Sequence, residues 1–141
     1  MNNPTQKTQI INNHELLQCA KKTMHNAFSP YSKFKVGAAL LTKDGKVFTG
    51  CNIENSSYGA CLCAERVAVV KAISEGYTKF DRIAIVGSHN DFTYPCGICR
   101  QFMSEFGLDL KIIVENGKET REHLLKELLP EAFVSFVPES E

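Results

Sequence analysis

Two cysteine-containing segments, each at the start of a predicted helix, constrain the fold of this chain most strongly. The first is C-A-E at residues 63–65 and the second is P-C-G-I-C at residues 95–99, with a predicted strand between them. Cysteine binds zinc as the thiolate, and the free N–H groups and positive dipole of a helix start favour that anion. We therefore expect two helix N-termini to converge on one metal site formed by Cys63, Cys96 and Cys99.

The number of cysteines in this set predicts a catalytic rather than a structural zinc. Three thiolates leave the fourth tetrahedral position of one zinc ion open for water. Glu65 follows Cys63 by two residues, so it can lie beside the metal without binding it. The order C-x-E and then P-C-x-x-C is the signature of zinc deaminases, in which the glutamate is the general acid and base. We expect Glu65 to be the catalytic residue.

Other interpretations of the cysteines are weaker. A lone C-x-x-C is often a structural zinc knuckle or a redox pair. A structural site normally has four protein ligands, and a thioredoxin-like motif needs neither a third cysteine nor an adjacent acid. Cys61 stands two residues before Cys63 and is an alternative fourth ligand. We prefer to regard it as a small buried side chain, like Cys19 and Cys51.

The charge of the metal site predicts a nearby cation. Three thiolates around Zn²⁺ carry a net charge of about minus one, which opposes the acidification of bound water. Arg66 directly follows Glu65 and is the favoured donor to the cysteine sulfurs, and Arg100, next to Cys99, is a weaker candidate.

Composition limits the partners. Lysine plus arginine number 16 and aspartate plus glutamate number 16, so no excess positive charge is available to hold a nucleic-acid polymer. Residues 1–13 are polar and resemble neither a signal nor a transit peptide, so we expect a cytoplasmic protein that does not bind a membrane. We interpret 1–13 as a flexible N-terminal tail and 14–141 as a single domain.

Hydrophobic patterning predicts an α/β fold, a three-layer α/β/α sandwich around a mixed sheet. A β-hairpin is expected at 36–51, with a turn at 43–45, and the loop 52–60 leads to the first cysteine motif. Helices are predicted at 14–28, 63–75, 97–106 and 120–129, and further strands at 82–87 and 110–115.

From about residue 14 to 133, the chain closely resembles the small, homotetrameric, zinc-dependent cytidine deaminases. Besides the cysteine motifs, the resemblance rests on S-P-Y-S-K-F at 29–34, V-G-A-A at 36–39, G-C-N-I-E-N-S-S-Y-G at 50–59 and R-Q at 100–101. It implies a mixed five-stranded sheet, one Zn²⁺ per chain and a role in pyrimidine salvage. A small-molecule nucleoside is the implied substrate, cytidine or deoxycytidine being converted to uridine or deoxyuridine with release of ammonia.

The resemblance also implies roles for individual residues. Asn52 and Glu54 would hydrogen-bond the ribose hydroxyls, Phe34 would pack on the pyrimidine, and the Ala64 N–H would bind the base carbonyl. Phe133 resembles an aromatic that completes a neighbouring subunit's active site. Tyr58 resembles a residue at the junctions of the tetramer.

The expected reaction is hydrolytic. Zinc lowers the pKa of its water, Glu65 takes the proton, and the resulting hydroxide attacks C4 of cytosine. Glu65 then acts as the acid towards N3 and the departing ammonia. The alternatives are a related deaminase for another substrate and a non-catalytic zinc-binding module, and the latter would have no need of Glu65.

Overall fold

The fold is built on one mixed five-stranded sheet. The computed structural model describes residues 11–135, and within them the strand order is β2-β1-β3-β4-β5. Only β3 and β4 are parallel, and the other neighbouring strands are antiparallel. The elements along the chain are α1 (Asn13–Met24), β1 (Val36–Thr42), β2 (Val47–Cys51), α2 (Ala64–Ser74), β3 (Phe80–Gly87), α3 (Gly97–Ser104), β4 (Lys111–Glu115), β5 (Thr120–Leu124) and α4 (Leu125–Leu128).

Helices cover both faces of the sheet, which makes the predicted three-layer α/β/α sandwich. Leu16, Leu17 and Ala20 of α1 pack on one face of the central strands. The helices α2 and α3 pack on the other, where alternate residues of β1, β3 and β4 point. The strands β3 and β4 are parallel, and α2 and α3 each come directly before one of them. The two helices therefore run in the same direction, and both begin at the same edge of the sheet.

Two glycines allow close approaches that shape the region around these helix starts. A Cβ atom on Gly50 in β2 would collide with the Ala64 carbonyl oxygen and lie 2.6 Å from the Ala68 nitrogen. A Cβ atom on Gly87, at the end of β3, would collide with the Thr93 hydroxyl and lie 2.7 Å from the Phe34 ring. Larger residues at these positions would displace the start of α2 or the segment that carries Phe34.

The predicted elements are confirmed except for the last helix. The first helix ends at Met24, four residues before the expected end, and α3 ends at Ser104. The expected helix at 120–129 is wrong: its first half is the strand β5, which pairs with β4, and only Leu125–Leu128 is helical. The turn before β5 contains Asn116-Gly117, with Gly117 at φ +90°, and this dipeptide is a strong hairpin signal.

Most of the predicted N-terminal tail, residues 1–10, falls outside the described residues. Asn12 caps α1, and its side chain accepts a hydrogen bond from the Glu15 N–H at 2.8 Å. No helix within residues 11–135 is long and apolar enough to cross a membrane.

Candidate active site

The three predicted metal cysteines come together at the starts of α2 and α3. Cys63 is the N-cap residue of α2, Cys96 is the N-cap residue of α3, and Cys99 lies in the first turn of α3. Their Sγ atoms all lie within 4.8 Å of one another, and those of Cys63 and Cys96 are 3.6 Å apart. Two sulfurs bound at 2.3 Å to a tetrahedral zinc would lie about 3.8 Å apart. The donor set and its spacing therefore fit one zinc ion.

The surroundings of Cys63 favour the thiolate that zinc requires. Hydrogen bonding from Cys99, followed by Arg66 and Cys96, lowers the pKa of the Cys63 thiol to about 5, against the opposing effect of burial. The same contact raises the pKa of Cys99, because Cys99 is the donor towards the Cys63 thiolate. The positive end of α2 acts in the same direction as Arg66 on the Cys63 sulfur.

Glu65 is a buried carboxyl group next to the thiolates. Only 4% of its surface is exposed. Burial raises the pKa of Glu65 to about 7, and the negative charge of Cys63 adds to the effect. A carboxyl group with this pKa can both accept and release a proton near neutral pH, which is what a proton shuttle requires.

The two arginines near the cysteines have different contacts. Arg66 Nη2 donates to the Cys63 sulfur at 3.7 Å and to the Cys61 carbonyl oxygen at 3.2 Å. Arg100 instead donates to the carbonyl oxygens of Pro95 and Leu128, each at 2.7 Å. Arg66 is thus the arginine that contacts a cysteine sulfur, and Arg100 ties the second cysteine segment to the C-terminal region.

Cys61 is not part of the cysteine cluster among the described residues. Its sulfur accepts a hydrogen bond from the Asn55 N–H at 3.3 Å and lies 3.7 Å from the Asn55 carbonyl oxygen. Cys61 therefore supports the loop before α2.

A cavity of about 260 Å³ opens beside Glu65 and the cysteines. Four of the predicted substrate-binding residues line it, namely Phe34, Asn52, Glu54 and Ala64. It is also lined by Val36, Cys61, Leu62, Cys63, Glu65, Thr93, Tyr94 and Cys96. The sequence analysis did not assign Val36, Leu62, Thr93 or Tyr94 to the site. Only the position of Thr93 and Tyr94 just before the second cysteine motif could have pointed to them.

Asn52 and Glu54 already hold the chain around the cavity. The Asn52 side chain accepts from the Val36 N–H and donates to the Phe34 carbonyl oxygen, both at 2.8 Å. Glu54 Oε1 accepts from the N–H groups of Tyr31 at 2.9 Å and Ser32 at 3.0 Å. Hydrogen bonds from Ser32 are the main reason that the pKa of Glu54 is lowered. Amide and carboxylate oxygens can each accept further hydrogen bonds, so both residues can also face a ligand.

The two remaining predicted residues do not line this cavity in the single chain. The side chains of Tyr58 and Phe133 are 74% and 72% exposed. Tyr58 packs edge-on against Tyr31, with ring centroids 5.8 Å apart. Phe133 is fixed through its carbonyl oxygen, which accepts from Gln101 Nε2 at 2.9 Å.

Fold and site together define a zinc-dependent enzyme of the α/β class, in which a buried carboxyl group lies close to the cluster of three cysteines. The description of the matching family model is "Cytidine and deoxycytidylate deaminase zinc-binding region", and it covers residues 11–115. The chain belongs to this family, and one zinc ion is its cofactor.

Individual relatives agree with this assignment. A probable cytidine deaminase from Dictyostelium discoideum is 46% identical over 127 residues, which are 87% of this chain and 86% of the relative. The cytidine deaminase of Halalkalibacterium halodurans is 46% identical over 85% of this chain and 92% of its own length. The crystal structure of cytidine deaminase from Burkholderia pseudomallei matches with a TM-score of 0.83 and 47% identity, covering 87% of this chain and all of that one.

Proposed function

We propose that this protein hydrolyses cytidine and deoxycytidine to uridine and deoxyuridine with release of ammonia. The observation that carries the proposal is that a buried glutamate, Glu65, lines the same cavity as two members of a three-cysteine cluster. Relatives of similar length are named cytidine deaminases. The same reaction needs a zinc site with three protein ligands and a residue that carries protons, and the three cysteines and Glu65 meet these needs.

In the proposed reaction, Cys63, Cys96 and Cys99 hold the metal and Glu65 moves the protons. Bound zinc supplies a water molecule acidic enough to act as a nucleophile near neutral pH. Glu65 accepts a proton from that water as the new C4–O bond forms, and it donates a proton to N3. Glu65 then takes the remaining proton from the new hydroxyl group on C4 and passes it to the amino group as the C4–N bond breaks, so that the C4 carbonyl forms and ammonia leaves.

Binding of the nucleoside is assigned to the cavity walls. The N–H of Ala64 belongs to the first turn of α2, where helix N–H groups lack helical partners, and it would bind the base carbonyl. Phe34 would pack on the pyrimidine, while the oxygens of Asn52 and Glu54 would accept from the ribose hydroxyls. Arg66 would moderate the charge of the thiolates through its contact with Cys63.

The lining of the cavity favours a nucleoside over a nucleotide. No lysine or arginine is among the described residues that line it, and Glu54 adds a negative charge. A 5′-phosphate dianion would find no cation to pair with and would be repelled by Glu54. We therefore expect cytidine monophosphate to react far more slowly than cytidine, although the family name includes deoxycytidylate deaminases.

We also propose that four chains form the working enzyme. The exposed ring of Tyr58 supports this, because it packs against the exposed ring of Tyr31, and adjoining exposed apolar side chains commonly mark an interface. A phenylalanine supplied by a neighbour would complete the active site, whereas a monomer would leave Phe133 in water.

A subunit-mixing experiment tests this contribution across the interface. Chains carrying Glu65→Gln and chains carrying Phe133→Ala are each expected to be poorly active, but mixed tetramers would contain sites with both native residues. Recovery of activity on mixing, with light scattering to establish the tetramer, would support the proposal. A monomer, or no recovery in a tetramer shown to be mixed, would overturn it.

We propose further that residues 14–141 form a single domain and that the enzyme serves pyrimidine salvage in the cytoplasm. Both helical layers of the described part pack on one sheet, as expected for a single domain. No disulfide joins any of the six cysteines, all of which lie among the described residues, and a reducing compartment would keep the close pair Cys63 and Cys96 from oxidising.

The decisive experiment is an absorbance assay with cytidine. The zinc-loaded protein should convert cytidine to uridine, and a chelator should abolish the conversion until zinc is restored. Deoxycytidine, cytosine and cytidine monophosphate are measured in parallel. Absence of turnover with zinc bound would favour the non-catalytic zinc-binding module, and faster turnover of the monophosphate would favour a nucleotide deaminase.

A further inference from the structure

Tyr94 forms part of the cavity wall and is held in place from outside the cavity. It stands two residues before Cys96 and is half-buried against the main core. Its hydroxyl oxygen lies 3.2 Å from His123 Nε2 and 3.4 Å from Arg121 Nη1. Tyr94 lines the cavity and neither partner does, so the hydroxyl group is directed towards β5 and not into the cavity.

The strand β5 presents both partners on the same face. Arg121 and His123 are alternate residues of β5, and they pair with Val114 and Ile112 of β4. Those two β4 residues belong to the core under α2 and α3. Because alternate strand residues point to the same side, Arg121 and His123 project towards the helical layer that contains the cysteines.

Further contacts fix the partners themselves. The Arg121 guanidinium lies 3.9 Å from the centroid of the Phe92 ring, a cation–π contact. His123 Nδ1 lies 3.8 Å from Glu127 Oε2. Arginine can only donate, so the Tyr94 hydroxyl accepts from Arg121 and can donate its own proton to Nε2 of neutral His123. The ring of Tyr94 is therefore anchored at its far end.

The proposed reaction assigns Tyr94 to the base end of the cavity, because it lines the cavity and only one residue separates it from Cys96. In the proposed reaction, C4 of the pyrimidine must lie beside the cysteines and Glu65, and Tyr94 adjoins Cys96 along the chain. Asn52 and Glu54, assigned to the sugar, come from the separate segment after β2. An anchored ring beside the base would leave little room for substituents on the pyrimidine.

We propose that Tyr94 is a specificity-determining residue that limits the size of substituents on the base, and that Arg121 and His123 are its positioning residues. This inference rests on the proposed deamination of cytidine. One methyl group in a well-shaped pocket typically changes discrimination by about 10–200-fold, so the effect is large enough to measure.

The test compares kcat/KM for cytidine, 5-methylcytidine, N4-methylcytidine and 2′-O-methylcytidine. Tyr94→Ala is expected to raise kcat/KM for 5-methylcytidine and N4-methylcytidine, each relative to cytidine, by about tenfold or more. The same variant should not raise the relative kcat/KM for 2′-O-methylcytidine, whose extra methyl group is on the sugar. Tyr94→Phe and His123→Leu each keep an aromatic ring at position 94 but remove the contact between the Tyr94 hydroxyl and His123. Each should therefore raise the same two relative kcat/KM values by a smaller factor. The double variant should raise them little more than either single variant, because both substitutions remove the same contact.

Tyr77→Ala is the matched control. Tyr77 packs on the same core and against Phe48, with ring centroids 5.4 Å apart, but does not line the cavity. Ratios unchanged in Tyr94→Ala, or changed equally by Tyr77→Ala, would overturn the inference. Tyr94→Leu replaces Tyr94→Ala if the latter does not fold.

Product binding provides a readout that does not depend on turnover. Calorimetry gives the Kd values of uridine and 5-methyluridine. The unmodified protein should bind uridine more tightly than 5-methyluridine, and this difference in Kd should be smaller in Tyr94→Ala. Failure of the unmodified protein to convert cytidine would count against the proposed function. An unaltered preference in Tyr94→Ala would count against the role of Tyr94 alone.

Discussion

At the scale of single residues, Glu65 shows how position changes the chemistry of a carboxyl group. It is buried close to the Cys63 thiolate, and its raised pKa of about 7 follows from burial first and from that negative charge second. Glu75, at the other end of α2, is exposed to solvent. The same residue type is thus a candidate proton carrier at one end of the helix and a solvated charge at the other.

Replacing Glu65 with glutamine should preserve zinc and remove most turnover. The amide keeps the shape of the carboxyl group but cannot carry a proton, and general acid–base catalysis is typically worth about 10²–10⁴-fold. Metal analysis and kcat with cytidine are measured on the same preparation, with Glu75→Gln as the control. A Glu65→Gln protein with near-normal kcat would remove Glu65 from the reaction.

Replacing Arg66 with glutamine should weaken the hold on zinc. The substitution removes the donor to the Cys63 sulfur, and loss of a group that orients a metal ligand typically costs 10–100-fold in metal affinity or activity. Zinc transfer to a competing chelator measures the change, and Arg100→Gln serves as the comparison because its contacts are carbonyl oxygens. Equal zinc retention by Arg66→Gln and the unmodified protein would show that the contact has no such effect.

At the scale of elements, the sequence predicted the helices that begin at the cysteine motifs but not the strand that follows them. The cysteine motifs are local patterns at helix starts, and the structure has both helices there. Residues 120–129 include four leucines, two glutamates, one lysine and one arginine, all of which favour helix. Pairing with β4 after the Asn116-Gly117 turn overrides that propensity, since strand preference depends on the neighbouring strand.

The same error concealed the contacts that hold Tyr94. In a helix, Arg121 and His123 would point in nearly opposite directions, so no common contact with Tyr94 could be expected. Tyr94 and Thr93 lack a recognisable spacing, and only the folded chain brings them to the cavity. Side chains within a motif were predictable from sequence, whereas cavity residues outside the motifs, and the contacts of Tyr94 that depend on strand pairing, were not.

Replacing Gly50 with alanine should disturb the packing of β2 against α2. The added Cβ would meet the backbone of Ala64 and Ala68, and overpacking of this kind typically costs 1–3 kcal/mol. Chemical denaturation measures the free energy of unfolding. Gly97→Ala is the control, because nothing lies within 4 Å of its added Cβ. Equal stability of the Gly50 and Gly97 variants would contradict the close approach.

At the scale of the whole molecule, zinc would join two helices that belong to different parts of the chain. Removing it should lower the melting temperature, because a ligand present at 100 times its Kd stabilises the folded state by about 2.7 kcal/mol. For a domain of this size, that corresponds to a shift of roughly 5–10 °C. Thermal unfolding with and without chelator measures the shift.

Two cysteine variants make the measurement specific. Cys99→Ser should already melt low and respond little to the chelator, because it lacks one member of the cluster. Cys19→Ser should respond like the unmodified protein, since Cys19 packs on the opposite face of the sheet. A chelator effect retained in full by Cys99→Ser would contradict the proposed ligands.

The pairing of β4 with β5 has a consequence for how substrate preference could change over time. A register slip of one residue exchanges the two faces of a strand, so Glu122 would replace Arg121 and His123 on the face towards Tyr94. The turn at 116–119, which sets this register, is mostly exposed to solvent and contains none of the cavity residues. Insertion or deletion of a single residue there could therefore retune the enzyme's choice of base without a mutation in the cavity itself.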